Sequence, residues 1–185
     1  MSIVIGINSF HADSSAAIFK DGELLFAIEE EKLNRKKHWA GFPEISILKC
    51  LEYTDINKNM VTDITLNSDP TSNLHKKIPY FFAKYMFGRK KNEIFNRIKN
   101  KITIKNFLIN KLSFNKKINI HYIDHHLSHI ASSFYPSKFN EALAVSVDGF
   151  GDFASVNIAS CKDNEIKILD KIFFPDSLGI FYEAM

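Results

Sequence analysis

The stretch Ile3-Val4-Ile5-Gly6-Ile7-Asn8-Ser9-Phe10-His11-Ala12-Asp13-Ser14-Ser15-Ala16 decides how the rest of the chain is read. Its first five residues form an apolar run of the kind found in strands buried on both faces. The run breaks into a turn of small and polar side chains. Ala16 to Phe19 predicts a second strand, Lys20-Asp21-Gly22-Glu23 a turn, and Leu24 to Glu29 a third strand. Asp-Gly between two β runs is a strong hairpin signal. A polar loop after a buried strand suits phosphate gripping, because backbone N–H groups and small hydroxyls can face an anion with nothing bulky in the way. Asn8, Ser9, Asp13 and Ser14 are the candidates for that contact. An ordinary β-hairpin is the alternative.

The same outline recurs from Ala142. An apolar strand runs to Val147 and ends at Asp148, and Gly149-Phe150-Gly151-Asp152 reads as a second glycine turn. Phe153 to Cys161 and Glu165 to Phe173 predict two further strands around Lys162-Asp163-Asn164. Two facing strand–turn–hairpin units are the plan of the actin-like ATPase fold. The expected class is therefore α/β, an actin-like (ribonuclease H-like) fold, first half only, with a mixed sheet and flanking helices. Only the second unit is preceded by Asp124-His125-His126-Leu127-Ser128-His129, which predicts a helix with Asp124 as N-cap and Pro136 as its stop. Spacing by four puts His125 and His129 on one helix face, one turn apart. Two imidazoles with the Asp148 carboxylate make a donor set for iron or zinc with open positions. A packed, hydrogen-bonded histidine pair is the alternative. His126 falls off that face, His38 reads as a solvated loop residue, and His75 and His121 carry no signal.

Glu29-Glu30-Glu31-Lys32-Leu33-Asn34-Arg35-Lys36-Lys37-His38 is acidic and then basic. It reads as a solvated loop or helix start, whose basic half could offer Arg35 and Lys37 to an anionic substrate. Pro43 opens a predicted helix over Glu44 to Thr54 with Ile45, Leu48 and Leu51 on one face. Asp63 to Leu66 predicts a short strand. Residues 76–117 carry 13 Lys or Arg against one acid, Glu93, with Ile94, Ile98 and Ile102 at helical spacing. This predicts a basic, Lys/Phe-rich helical insertion with a solvated face rather than a nucleic-acid surface. The length of 185 residues suits one domain over 1–185, and 45% hydrophobic with 24% charged residues suits a soluble protein. Cys50 and Cys161 lack CxxC spacing, so no disulfide framework is expected. With no signal-peptide pattern at the N-terminus and no run of about 18 apolar residues, the expected setting is the cytoplasm, without a membrane span.

Five stretches in order resemble the NodU/CmcH family of O-carbamoyltransferases: the Gly6–Ala16 loop, Glu29–His38, His125–Ser137, Val147–Asp152 and Phe174–Tyr182. The family's Glu stands as Asp152 here, and its Arg-Phe as Lys32-Leu33. The resemblance implies an actin-like domain related to the tRNA threonylcarbamoyladenosine transferases. It implies Fe(II), or another divalent metal, on His125, His129 and Asp148. It implies His11 and Lys37 beside the reacting carbamoyl group, and Gly149 and Gly151 where backbone approaches phosphate. The reaction implied is transfer of a carbamoyl group from carbamoyl-adenylate to a hydroxyl of a small molecule or sugar. ATP and carbamoyl phosphate would be cosubstrates of the full-length enzyme. The second half of the fold, a further carboxylate ligand and a YrdC-like domain would have to come from elsewhere, in cis or as a separate chain. Alternatives are a tRNA-modifying relative and a non-catalytic remnant that binds a partner. Apolar surface left open by a missing half would invite self-association, including a homodimer.

Overall fold

The computed structural model describes residues 1–87 and 104–185. The chain divides into two compact units, one of residues 1–67 and 97–122 and one of 68–96 and 123–185.

In the first unit, β1 (Ile3–Asn8), β2 (Ser15–Lys20), β3 (Glu23–Glu29), β4 (Asp63–Leu66) and β5 (Asn119–Tyr122) form one sheet in the order β3-β2-β1-β4-β5. The β1–β2 and β2–β3 pairs are antiparallel, whereas β1–β4 and β4–β5 are parallel. Asp21 (φ 51°) and Gly22 (φ 88°) are both left-handed, the requirement of a two-residue hairpin that Asp-Gly meets with little strain. Ile3, Ile5 and Ile7 are buried and alternate with half-buried Val4, Gly6 and Asn8. Only one face of β1 is therefore fully enclosed, not both as its apolar run predicts. The buried face meets Ile18 and Ile64 from the neighbouring strands and Ile47, Cys50 and Leu51 from α2 (Glu44–Thr54). Ile104 and Leu108, from a helical stretch over 104–110 (α4), join the same cluster. Each fully buried isoleucine is worth roughly 1.5–3 kcal/mol relative to exposure.

The inward face of α2 differs from the expected stripe. Ser46, Ile47, Cys50 and Leu51 are buried, while Ile45 and Leu48 are each 45% exposed. The cause lies in α1 (Glu30–Asn34). Pro43 at the N-cap offers no capping side chain. The buried Glu30 carboxylate takes that role, accepting from the amides of Ile45 (3.1 Å) and Ser46 (2.7 Å) and from the Ser46 hydroxyl (2.7 Å). An anion at a helix N-terminus is favoured by its unpaired amides and dipole. Holding Ser46 inward turns Ile45 and Leu48 outward.

The second unit holds α3 (Leu74–Phe87), α5 (His125–Phe134), β6 (Glu141–Gly151), β7 (Ala154–Lys162), β8 (Glu165–Phe173) and α6 (Leu178–Ala184). The three strands form an antiparallel sheet in sequence order. Ile130 and Phe134 of α5 pack on Ala142, Ala144, Ala159, Cys161, Ile166 and Ile168. On the opposite side of β6, Leu143, Val145 and Val147 are exposed. The expected glycine turn at 149–152 is absent, because β6 continues through Asp148 to Gly151, with an irregularity between Val147 and Gly151. The reversal is made by Asp152 (φ 49°) and Phe153 (φ 75°).

Both units thus contain an antiparallel three-strand meander, and the first adds β4 and β5, paired in parallel beyond β1. This is the mixed-sheet α/β arrangement of the actin-like, ribonuclease H-like fold, as expected. Within the basic 76–117 segment, α3 and 104–110 are helical, while Ile94, Ile98 and Ile102 lie outside the described residues. Among the described residues no helix is long and apolar enough to cross a membrane.

Candidate metal centre

The histidine helix forms where its caps predict. The Asp124 carboxylate accepts from the Leu127 amide (3.2 Å), and the helix stops at Phe134, two residues before Pro136. His126, Ile130 and Phe134, spaced by four, form its buried face. His125 and His129 lie on the adjacent face and turn toward Asp148 of β6. His125 Nε2 is 2.7 Å from Asp148 Oδ2 and 3.0 Å from His129 Nε2, and His129 Nε2 is 3.7 Å from Asp148 Oδ2.

One donor atom from each of the three residues lies within 4.8 Å of the others. Three donors about 2.1 Å from a single ion stand roughly 3.0–3.4 Å apart at octahedral or tetrahedral angles. The His125–His129 separation of 3.0 Å lies in that range, and the two separations to Asp148, 2.7 and 3.7 Å, fall on either side of it. His125 is buried, whereas the His129 side chain is 54% exposed, so the site is open on that side. Burial alone would raise the Asp148 carboxyl. The His125 hydrogen bond, the Gly149 amide and the charges of the two imidazoles outweigh it and hold the carboxyl below its ordinary range.

Two glycines permit this closeness. A Cβ at Gly151 would lie 1.9 Å from Cδ2 of His125, inside the imidazole ring. A Cβ at Gly179 would lie 2.5 Å from the carbonyl carbon and oxygen of Asp148. Ser177 completes the joint, its hydroxyl donating to the Gly149 carbonyl (2.8 Å) and accepting from the Ile180 amide (3.1 Å). Gly149 itself faces open space.

Residues outside the expected site support it from behind. Asp152 accepts from the His125 amide (3.0 Å), the Ser68 hydroxyl (2.7 Å) and the Asp69 amide (2.7 Å). Asp124 also accepts from Ser72 (2.5 Å) and Lys171 (3.3 Å). His126 is fully buried, its two nitrogens facing Ser146 and Ala154. Its place in the Ile130–Phe134 stripe was the available signal for this burial.

The other expected site residues of the first unit lie at the end of β1 (Asn8), in the loop after it (Ser9, His11, Asp13, Ser14) and after α1 (Arg35, Lys37). The Asn8 amide donates to the carbonyls of Ala12 (3.1 Å) and Asp13 (3.0 Å), so it braces its own loop. The buried Ser14 hydroxyl lies 2.7 Å from the Gly41 carbonyl and 3.0 Å from that of His11. The amides of Phe10 and Ser14 donate to Gly41 and Trp39, which ties this loop to the 39–41 turn. Arg35 and Lys37 follow α1 and are exposed; Lys37 Nζ is 3.3 Å from Glu31. Glu31 also accepts from the His38 amide (3.0 Å) and Lys32 (3.0 Å). The His38 amide, ahead of the two lysines, brings its carboxyl down to about 2. His38 is exposed, as expected, and 3.1 Å from Asp13. Asp13, Glu31 and His38 form a second close donor group, but Glu31 is already engaged by two ammonium groups.

Residues 3–185 match the family profile described as Carbamoyltransferase N-terminus. Over 192 aligned residues the chain is 31% identical to an uncharacterised protein of Synechocystis sp., covering 100% of this chain and 31% of that protein. It is 31% identical over 181 residues to the nodulation protein NolNO of Sinorhizobium fredii, covering 95% of this chain and 25% of that one. The chain thus spans between a quarter and a third of the length of these relatives. Among solved structures it is similar to YeaZ from Pseudomonas aeruginosa, with TM-score 0.44 and 11% identity, covering 92% of this chain and 65% of that one.

Proposed function

The chain belongs to the carbamoyltransferase family, and from that premise we propose that it is the N-terminal part of an O-carbamoyltransferase whose metal site is His125, His129 and Asp148. The observation that supports this reading is the convergence of three donor atoms from α5 and β6, 2.7, 3.0 and 3.7 Å apart. A borderline set of two imidazoles and one carboxylate suits iron(II) among divalent ions. When bound, such an ion supplies Lewis acidity at a carbonyl or phosphoryl oxygen.

The residues of the chain supply the rest. Asp148 and the two histidines orient one another, and the Gly149 amide, donating to Asp148 Oδ1 (2.6 Å), helps to hold the carboxylate in place. Lys37 and Arg35 carry the positive charge that an anionic carbamoyl donor requires. In the proposed reaction the acceptor hydroxyl loses its proton to His11, and its oxygen bonds to the carbamoyl carbon. The bond from that carbon to the phosphate oxygen of carbamoyl-adenylate breaks, and AMP leaves with the electron pair. Imidazole suits the proton transfer because its ordinary pKa lies near neutrality. The acceptor class proposed is a small molecule or sugar bearing a hydroxyl. Carbamoyl-adenylate would be made from ATP and carbamoyl phosphate by a YrdC-like domain, and a cytoplasmic setting suits the two free cysteines.

Metal analysis after anaerobic loading with Fe(II) tests the site. The parent is expected to retain one equivalent, and His125→Ala and Asp148→Ala to retain little. Equal iron in all three removes the site. Activity is tested in a full-length protein carrying this segment, where His11→Ala is expected to lower carbamoyl transfer by 10²–10⁴-fold. An unchanged rate removes His11 as the base.

A further inference from the structure

We propose that His126 is a positioning residue of this centre, fixing helix α5 on the sheet so that the nitrogens of His125 and His129 meet Asp148. The proposal rests on the reading of those three residues as ligands.

His126 is fully buried. Its Nε2 lies 3.0 Å from the carbonyl oxygen of Ala154, the first residue of β7. A carbonyl only accepts, so Nε2 carries the proton there. Nδ1 lies 2.8 Å from the hydroxyl of Ser146, itself buried on β6 two residues before Asp148. Residues two apart on a strand share a face, so Ser146 and Asp148 both address α5. One imidazole therefore bonds to two neighbouring strands at the end of the sheet where the ligand stands.

An apolar side chain at 126 would also bury surface, as Ile130 and Phe134 do on the same face. Apolar contact has no direction, however, and leaves the rotation and rise of a helix loosely specified. Two hydrogen bonds to different strands fix both. That matters because His125 is the next residue, and a ligand set keeps its ion only when distances hold within about 0.2 Å. The side chain of Asn157, opposite Ser146 on β7, is fully buried and its amide nitrogen and oxygen have no hydrogen-bond partner among the described residues, so it does not share the load.

The test uses the whole chain with Co(II) as the probe, following its visible absorption, beside far-UV circular dichroism and the melting temperature of the metal-free protein. His126→Phe keeps the bulk and removes both hydrogen bonds. Ser146→Ala removes one partner and leaves the imidazole. His126→Phe is expected to weaken Co(II) binding 10–100-fold with an altered visible band, the range of outer-shell losses at metal sites. Ser146→Ala is expected to weaken it less, in the same direction. A folded His126→Phe with the parental Co(II) affinity and band overturns the proposal and leaves His126 a core residue. If His126→Phe does not fold, Ser146→Ala decides, and parental affinity there overturns the proposal. A parent that binds no Co(II) overturns the ligand reading, whereas a parent that binds, with variants that bind equally, overturns the positioning alone.

Discussion

Gly151 has room for no side chain, since a methyl there would enter the imidazole of His125. Gly151→Ala is expected to push that ring off Asp148, weaken metal binding at least about tenfold, and cost about 1–3 kcal/mol of stability as an overpacked site. Metal titration and thermal melting of the variant check both, and parental values in each would show that the ring yields freely. The His38 amide and the two lysines bring the Glu31 carboxyl down to about 2 from an ordinary 4.5. A carboxyl lowered by folding contributes stability above its ordinary value and loses it as pH falls through its folded value. A Glu31→Gln variant should therefore differ from the parent in the order of the 35–38 turn above pH 4.5, and the difference should vanish toward pH 2. Carboxyl NMR of the parent reads the midpoint directly, and a midpoint near 4.5 would show that the His38 amide and the lysines do not grip it. That His125, His129 and Asp148 come together was legible in the sequence, because two of them sit one helical turn apart and the third ends an apolar run. His126 was not, because its partners are 20 and 28 residues away and no local period reports them.

At the level of elements, the hairpin at Asp21-Gly22 and the helix from Asp124 form where local chemistry puts them, since turn and cap lie within a few residues of what they serve. The facing of α2 does not follow its own apolar period. It depends on Glu30, whose contact with Ser46 spans 16 residues of sequence. Three consecutive glutamates look alike on paper, yet Glu30 is buried and Glu29 is not. Glu30→Ala would leave two helix amides and a hydroxyl without their acceptor, at a cost of roughly 2–4 kcal/mol. Chemical denaturation measures this, and Glu30→Gln should recover part of the loss. A cost below about 0.5 kcal/mol, the range of ordinary surface changes, would mean that water replaces the carboxylate and that α2 finds its orientation unaided.

For the whole molecule, the α/β class and the two three-strand meanders were legible, because each meander is built from contiguous sequence, whereas the tight reversal falls at Asp152-Phe153 and not on the expected glycine turn. The division into two units was not legible, since each unit draws on two separated stretches of chain. On the second unit, Leu143, Val145 and Val147 stand 68%, 56% and 52% exposed along one side of β6. An apolar strand left open is prone to self-pairing. The chain is expected to associate as its concentration rises, and Leu143→Lys with Val145→Thr to reduce this without unfolding it. Sedimentation velocity distinguishes the two, and a parent that stays monomeric throughout would show that the strand is tolerated in water. The course of β6 through Asp148 also bears on how such chains can diverge. A ligand carried on a strand obeys a parity rule that a ligand in a loop escapes. Losing or gaining one codon between Glu141 and Asp148 would turn the carboxylate away from the histidines while leaving the ladder paired. Length changes in the Asp163-Asn164 turn would leave the carboxylate where it is. Divergent copies that keep the cluster should therefore carry their insertions in turns, and gaps of a single residue in β6 should mark copies in which Asp148 no longer meets the histidines.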